Sequence, residues 1–259
     1  MITTTPRGRF GVRRTGAHGR PVVLLHPLAM AGEIWDPMAH RLAADRRVLA
    51  TDARGHGESD WDGADFTIED LAEDTASIIE SVADEPVDVV GLSMGGSTAI
   101  VLAASRPELV RRLVLADTTA CYGPGRVAKW AERAENAVRK PREQQLTFQL
   151  ERWFSERFRQ ESPAEVDRVA AIFLRTNSAA HAAACRAFGA MDSTDRLAEI
   201  GAGTLVLVGA EDYATPPVMA ERIAKEIPGA EFHVLANTRH FSLVERPELW
   251  PVVTEHLAD

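Results

Sequence analysis

Ser93 sits inside VDVVGLSMGGSTAIVLAA (residues 87–104), where a buried-looking apolar run meets Gly91-Leu92-Ser93-Met94-Gly95-Gly96 and then a stretch of small residues. Gly-x-Ser-x-Gly between a strand and a helix is the pattern of a nucleophile elbow. A serine on such a turn carries a strained backbone, and the residues around it must be small for the two chain segments to approach. Gly91, Gly95 and Gly96 meet that demand, and the following helix points its positive end at the turn. A Gly-rich turn with an incidental serine is the competing reading; the strand-turn-helix setting favours the nucleophile.

A serine hydroxyl is a weak nucleophile and needs a base. Of the eight histidines, His240 in ANTRHFSLVERP follows the last predicted strand and lies C-terminal to Ser93. That agrees with a chain order of Ser, then acid, then His. The acid that would orient the imidazole is Asp212, just past a strand end in LVLVGAEDYATP (205–216) and before a Thr-Pro turn. Glu211 is the adjacent rival, and Asp117, closing LVLAD, is a second; Asp212 is favoured. Hydrolysis also needs donors for an oxyanion. The backbone N–H of Met94, directly after the serine, is one. The loop VVLLHPLAM (22–30) supplies the other: Pro27 has no N–H, which points to Leu28. His26 reads as a shaper of this loop and not as a proton carrier. RGHG, within TDARGHGESD (51–60), lacks the Gly-Lys-Ser/Thr of a phosphate-binding loop. It reads as a tight scaffold in which Asp52 and Arg54 brace the site and His56 is structural.

These residues need elements to hold them. VVLLH (22–26), RVLATD (47–52), VDVVG (87–91), RLVLAD (112–117), TLVLVG (204–209) and EFHVL (231–235) are strand-length apolar runs, as expected of parallel strands buried on both faces. At 67–82, Ile68, Leu71, Ala72, Ile78, Ile79 and Val82 form a helical stripe. Thr67 is its expected N-cap, and Glu69, Asp70, Glu73 and Asp74 read as a solvated acidic face. Strand and helix alternate, which predicts a doubly wound sheet. The alternation stops between Asp117 and about Asp195, where only helical patterns occur: 125–140, 143–159, 163–175 and 178–191, with breaks at Pro141 and Pro163. An all-helical insertion there reads as a lid over the carboxyl edge of the sheet.

Composition narrows the function. The 259 residues carry 29 Lys+Arg against 38 Asp+Glu, a net of −9, with only two cysteines. Such a chain repels phosphate backbones and anionic membranes, so neither nucleic acid nor a membrane is an expected partner. Cys121 and Cys185 form neither a disulfide framework nor a zinc-site spacing, so no metal is expected. No apolar run approaches bilayer length, and MITTTPRGRF lacks the apolar core of a signal peptide; the expected location is the cytoplasm. A small-molecule substrate is the expected partner, and a homo-oligomer is compatible with the sequence.

HPLA (26–29), DARGHGES (52–59), GLSMGG (91–96), GAED (209–212) and RH (239–240), taken together and in this order, resemble the α/β-hydrolase family over essentially the whole chain. The resemblance implies an eight-stranded, mostly parallel sheet with a helical cap between strands six and seven. The core would be 1–118 and 196–259, the cap 119–195. It also implies catalysis by Ser93, His240 and Asp212 without a cofactor. Within the family the chain looks most like 3-oxoadipate enol-lactonases. LVLADTTA followed by Trp130-Ala-Glu-Arg133, the pair Trp153-Phe154 and the segment AAACRAFGAMDSTDRLAEI carry that likeness. Two features depart from it: the early loop is His-Pro-Leu-Ala where a more polar, Gly-containing run is expected, and Ala180-His181 stands where a Gly-Tyr pair is expected. A serine excludes relatives that need a carboxylate nucleophile, such as haloalkane dehalogenases and epoxide hydrolases. Lactonase, carboxylesterase, thioesterase, C–C hydrolase and perhydrolase chemistries stay open, as does a receptor that keeps the triad. Trp130, Arg133 and Trp153 are the expected substrate contacts. Segment 126–142 holds six cations (Arg126, Lys129, Arg133, Arg139, Lys140, Arg142) against Glu132 and Glu135. It reads either as a solvated helix or, through Arg133, as an attractor of an anionic substrate.

Overall fold

In the computed structural model, which describes residues 1–258, eight strands form one sheet. They are β1 (Ile2–Thr5), β2 (Gly8–Thr15), β3 (Pro21–Leu25), β4 (Arg47–Thr51), β5 (Val87–Leu92), β6 (Val110–Ala116), β7 (Gly203–Gly209) and β8 (Glu231–Leu235), in the spatial order β1-β2-β4-β3-β5-β6-β7-β8. From β4 to β8 every pairing is parallel; β1–β2 and β2–β4 are antiparallel. β1 and β2 are absent from the apolar runs of the sequence for a physical reason. β1 is the edge strand and β2 its neighbour, and their few apolar residues are broken up by Thr, Arg and Gly.

Helices α1 (Asp36–Leu42), α2 (Ile68–Val82) and α3 (Met94–Ser105) connect the first strands. Two apolar cores result, one on each face of the sheet. α2 begins at a capping box: Asp70 N–H donates to Thr67 Oγ1 (3.1 Å) and Thr67 N–H to Asp70 Oδ2 (3.0 Å). One member of its acidic face is not solvated. Asp74 is buried and takes Arg54 bidentately at 2.6 Å on both oxygens, and Arg7 at 2.8 Å. Arg54 therefore fastens α2 and does not brace the serine.

Between β6 and β7 the chain forms α4 (Arg126–Arg139), α5 (Arg142–Trp153), α6 (Glu156–Glu161), α7 (Pro163–Arg175) and α8 (Ser178–Ala190). The neck of this insertion is closed by a bridge between Cys121 and Asp192 and by Ser193 N–H donating to Ala120 O at 2.9 Å. The helix expected over 143–159 is two helices. Trp153 and Phe154 are both buried, Phe154 is extended, and Ser155 caps a new helix through Phe158 N–H. Helices α9 (Pro217–Glu226), α10 (Ser242–Glu245) and α11 (Trp250–His256) complete the chain. No helix among the described residues is long and apolar enough to cross a membrane.

Candidate active site

Ser93 joins β5 to α3 with φ 54° and ψ −111°, a backbone that costs free energy for any residue bearing a Cβ. Its surroundings leave no room for larger neighbours. A Cβ on Gly91 would lie 2.4 Å from Gly95 O, one on Gly95 2.1 Å from Leu25 O, and one on Gly96 2.6 Å from the Thr118 side chain. The turn is pinned on both sides. Ser93 N–H donates to Ala116 O (2.9 Å), and Thr118 Oγ1 donates to Ser93 O (2.7 Å).

His240 reaches this serine from the loop after β8. Its Nε2 lies 2.9 Å from Ser93 Oγ and its Nδ1 2.8 Å from Asp212 Oδ2. If Oγ donates to Nε2, the imidazole proton must sit on Nδ1, where the carboxylate accepts it. Asp212 is itself fixed: Ala214 N–H (2.7 Å) and Thr215 N–H (3.1 Å) donate to Oδ1, and Thr215 Oγ1 (2.8 Å) donates to Oδ2. Burial alone would raise this carboxyl; the charge of His240 and the donors around it outweigh burial and hold it low. The two rivals are placed elsewhere. Glu211 is exposed. Asp117 is fully buried, but its oxygens accept Gly209 N–H (2.9 Å) and Ser242 N–H (2.8 Å), tying the Asp212 strand to the His240 loop. Burial first, then the charge of Asp212, raises Asp117 well above the usual carboxylate range.

The loop after β3 closes a turn through Met30 N–H to Pro27 O (3.2 Å), with Ala29 at φ 59°. A left-handed third residue is what a type II turn requires, and glycine usually supplies it. The N–H groups of Leu28 and Met94 have no hydrogen-bond partner among the described residues. His26 holds this loop: its ring spans Pro27 O (2.8 Å, Nδ1) and Ala53 N–H (3.0 Å, Nε2), and burial lowers it to about 4, so it stays neutral. Asp52 braces the same loop, accepting Gly32 N–H (2.6 Å) and Glu58 N–H (2.9 Å). The insertion is tied in as well, since Thr176 Oγ1 donates to Ala29 O at 2.8 Å.

Above Ser93 lies a small cavity, with Leu28, His240 and Phe241 below and Tyr122, Trp130, Arg133, Gln149, Arg152, Trp153, His181 and Phe188 above. Trp130 stacks on Phe188 (4.8 Å between centroids) and carries the Arg133 guanidinium 4.3 Å over its ring. Trp153 stacks on Phe241 at 4.9 Å, and its carbonyl accepts Phe241 N–H (3.0 Å), so it also locates the loop that holds His240. The basic segment is thus divided. Arg133 faces the cavity, Lys129, Arg139 and Lys140 are exposed, and Arg142 is buried against Phe173 O. Arg152 was not anticipated from the sequence. It is half-buried in the cavity wall, and burial, followed by the charge of Arg133, lowers it to about 10. Neither Arg133 nor Arg152 has a carboxylate ion-pair partner among the described residues. A signal for it exists in α5: Gln149, Arg152 and Trp153 fall on one helical stripe, two polar groups on a face that also carries a buried Trp. No group of three His, Cys, Asp or Glu side chains able to hold a metal occurs among the described residues.

The model of the alpha/beta hydrolase fold family matches residues 20–247. The 3-oxoadipate enol-lactonase 1 of Acinetobacter baylyi is 28% identical over 249 residues, covering 96% of this chain and 92% of its own. Among solved structures, the enol-lactonase of Burkholderia xenovorans LB400 superposes with a TM-score of 0.93 at 27% identity over 100% of both chains. A thermophilic esterase of Thermogutta terrifontis, solved with malate bound, does so with a TM-score of 0.91 at 28% identity over 99% of this chain and 97% of its own. Sheet order, elbow, loop sequence and matched length agree, and the chain belongs to the α/β-hydrolase family.

Proposed function

We propose that this protein is a serine hydrolase of small esters or lactones that carry a carboxylate. Ser93 Oγ attacks the acyl carbon while His240 Nε2 takes its proton, and Asp212 stabilises the imidazolium that forms. The charge that develops on the carbonyl oxygen is received by the N–H groups of Leu28 and Met94. Collapse of the tetrahedral intermediate breaks the acyl–oxygen bond, and His240 returns the proton to the leaving oxygen. In a lactone that oxygen stays tethered to the acyl group. Water then repeats the sequence on the acyl-enzyme, releasing the acid and restoring Ser93. The reaction as written uses only water and these side chains.

The observation that carries the substrate class is the pair of guanidiniums, Arg133 and Arg152, in the wall of the Ser93 cavity without a carboxylate partner. Two like charges held close out of bulk water are costly unless an anion joins them. A substrate carboxylate would do so and would fix the acyl carbon over Ser93. The names of the relatives, enol-lactonase and a malate-bound esterase, fit an anionic ligand. The test compares kcat/KM for mono-p-nitrophenyl succinate with that for p-nitrophenyl butyrate, near-isosteric esters that differ in one carboxylate. Arg133→Ala and Arg152→Ala should each lower the succinate-to-butyrate ratio by roughly 30-fold or more, the equivalent of about 2 kcal/mol or above for a desolvated charge pair. An unchanged ratio in both variants would redirect the reading to neutral substrates.

A further inference from the structure

His181, on α8, lines the same cavity and is only 3% exposed. Its Nδ1 lies 2.8 Å from Arg142 Nη1. Arg142 is held in turn, donating from Nε (3.2 Å) and Nη2 (2.7 Å) to Phe173 O, with its guanidinium 3.9 Å over the Phe173 ring. A guanidinium only donates. Nδ1 of His181 must therefore accept, and the single proton of the neutral ring must sit on Nε2. Burial pushes His181 well below its usual value, and the charges of Arg142, Arg133 and His56 push the same way, so the ring stays neutral at physiological pH. The resulting Nε2–H has no acceptor among the described residues. A donor in a cavity wall with no protein acceptor is set to meet a ligand.

Resting on the proposed hydrolysis of carboxylated substrates, we propose that His181 is a specificity residue whose Nε2–H donates to the substrate carboxylate beside Arg133 and Arg152, with Arg142 as the positioning residue that fixes its tautomer. The neutral state has a reason. Two guanidiniums already repel each other there; an imidazole N–H adds a hydrogen bond to the anion without a third positive charge.

Kinetics on the two p-nitrophenyl esters test this. His181→Phe keeps an aromatic ring and removes the donor. It should lower kcat/KM for mono-p-nitrophenyl succinate by about 10- to 100-fold, mainly through KM, as loss of a hydrogen bond to a charged group does. The loss on p-nitrophenyl butyrate should be at least tenfold smaller, and His181→Gln, which keeps an N–H donor, should recover most of the selectivity. Equal losses on both esters in His181→Phe, or no loss, would overturn the assignment. If the ester ratio collapses in Arg133→Ala and Arg152→Ala but not in His181→Phe, the donor role fails while the anion site stands; if none of the three moves it, the substrate class fails. Nitrogen-15 NMR of the labelled wild-type imidazoles reads the tautomer directly and needs no variant. At pH 7, His181 should show a pyrrole-type Nε2 and a pyridine-type Nδ1; the reverse pattern, or a protonated ring, would overturn the role of Arg142.

Discussion

Asp212 and Asp117 are both buried carboxyls at the carboxyl edge of the sheet, and replacing each with asparagine separates their roles. In Asp212→Asn the amide oxygen can keep the bonds that Oδ1 takes from Ala214 and Thr215 N–H at 2.7 and 3.1 Å. The NH2 group then faces His240 Nδ1 in place of the acceptor now 2.8 Å away. The imidazole must turn its proton to Nε2, where it can no longer accept from Ser93. A wrong tautomer and an unstabilised imidazolium together cost about 10⁴ in kcat. Asp117→Asn puts an NH2 against Gly209 N–H or Ser242 N–H, a donor facing a donor. The cost is one unsatisfied buried group, about 1–3 kcal/mol of stability, with a far smaller effect on turnover. The assay is steady-state hydrolysis of p-nitrophenyl acetate beside urea unfolding of both variants. A folded Asp117→Asn enzyme less active than Asp212→Asn would refute the assignment and move the acid to the end of β6.

Ser93→Ala should keep the fold and lose about 10⁶ in kcat, and His240→Ala should lose nearly as much, because the two act as a unit; substantial turnover by purified Ser93→Ala would remove Ser93 from the mechanism. Gly95→Ala drives a Cβ to 2.1 Å from Leu25 O, so its urea midpoint should fall by the equivalent of about 1–3 kcal/mol and turnover with it; a wild-type midpoint would mean that β3 and the elbow yield freely. Burial lowers His56 from 6.5 to about 3, so the unfolded chain binds a proton there that the native protein refuses; the stability this gives is complete above pH 6.5 and is lost as pH falls toward 3. His56→Phe should flatten the fall in stability between pH 6 and pH 4.5 by about 1.4 kcal/mol per pH unit, and urea midpoints with the wild-type slope would contradict it.

Strands buried on both faces announce themselves as unbroken apolar runs, which is why β3 to β7 are readable from the sequence while β1 and β2 are not; β8, expected to be buried on both faces, is instead a mostly exposed edge strand with only Leu235 buried. The order and spacing of Ser93, Asp212 and His240 were legible because the elbow needs glycines at fixed offsets and the other two sit at strand ends. The choice between Asp212 and Asp117 was harder, since both end strands; what separates them is the partner of every oxygen, a property of space alone. Asp74 shows the same limit. It lies among acidic neighbours on a helix that looks solvated, and its partners Arg7 and Arg54 come from loops 67 and 20 residues away.

The cap gave more than a charge count could. Segment 126–142 holds six cations, but their fates follow helical phase: Trp130, Arg133, Ala134 and Ala137 share one stripe, which faces inward, while Lys129 and Arg139 lie off it. A net charge of −9 does not conflict with the proposed anion site. The two act over different distances. Charges at the surface are screened within about 8–10 Å at physiological ionic strength, whereas Arg133 and Arg152 would meet an anion in the cavity at contact distance. Many other arginines have acids beside them: Arg46 and Arg111 on Asp88, Arg54 on Asp74, Arg106 on Glu80 and Glu108, Arg186 on Asp65. Arg133 and Arg152 have none among the described residues and line the cavity above Ser93. On the proposed reading, a single carboxylate small enough to enter the cavity meets Arg133 and Arg152 and not the acidic surface.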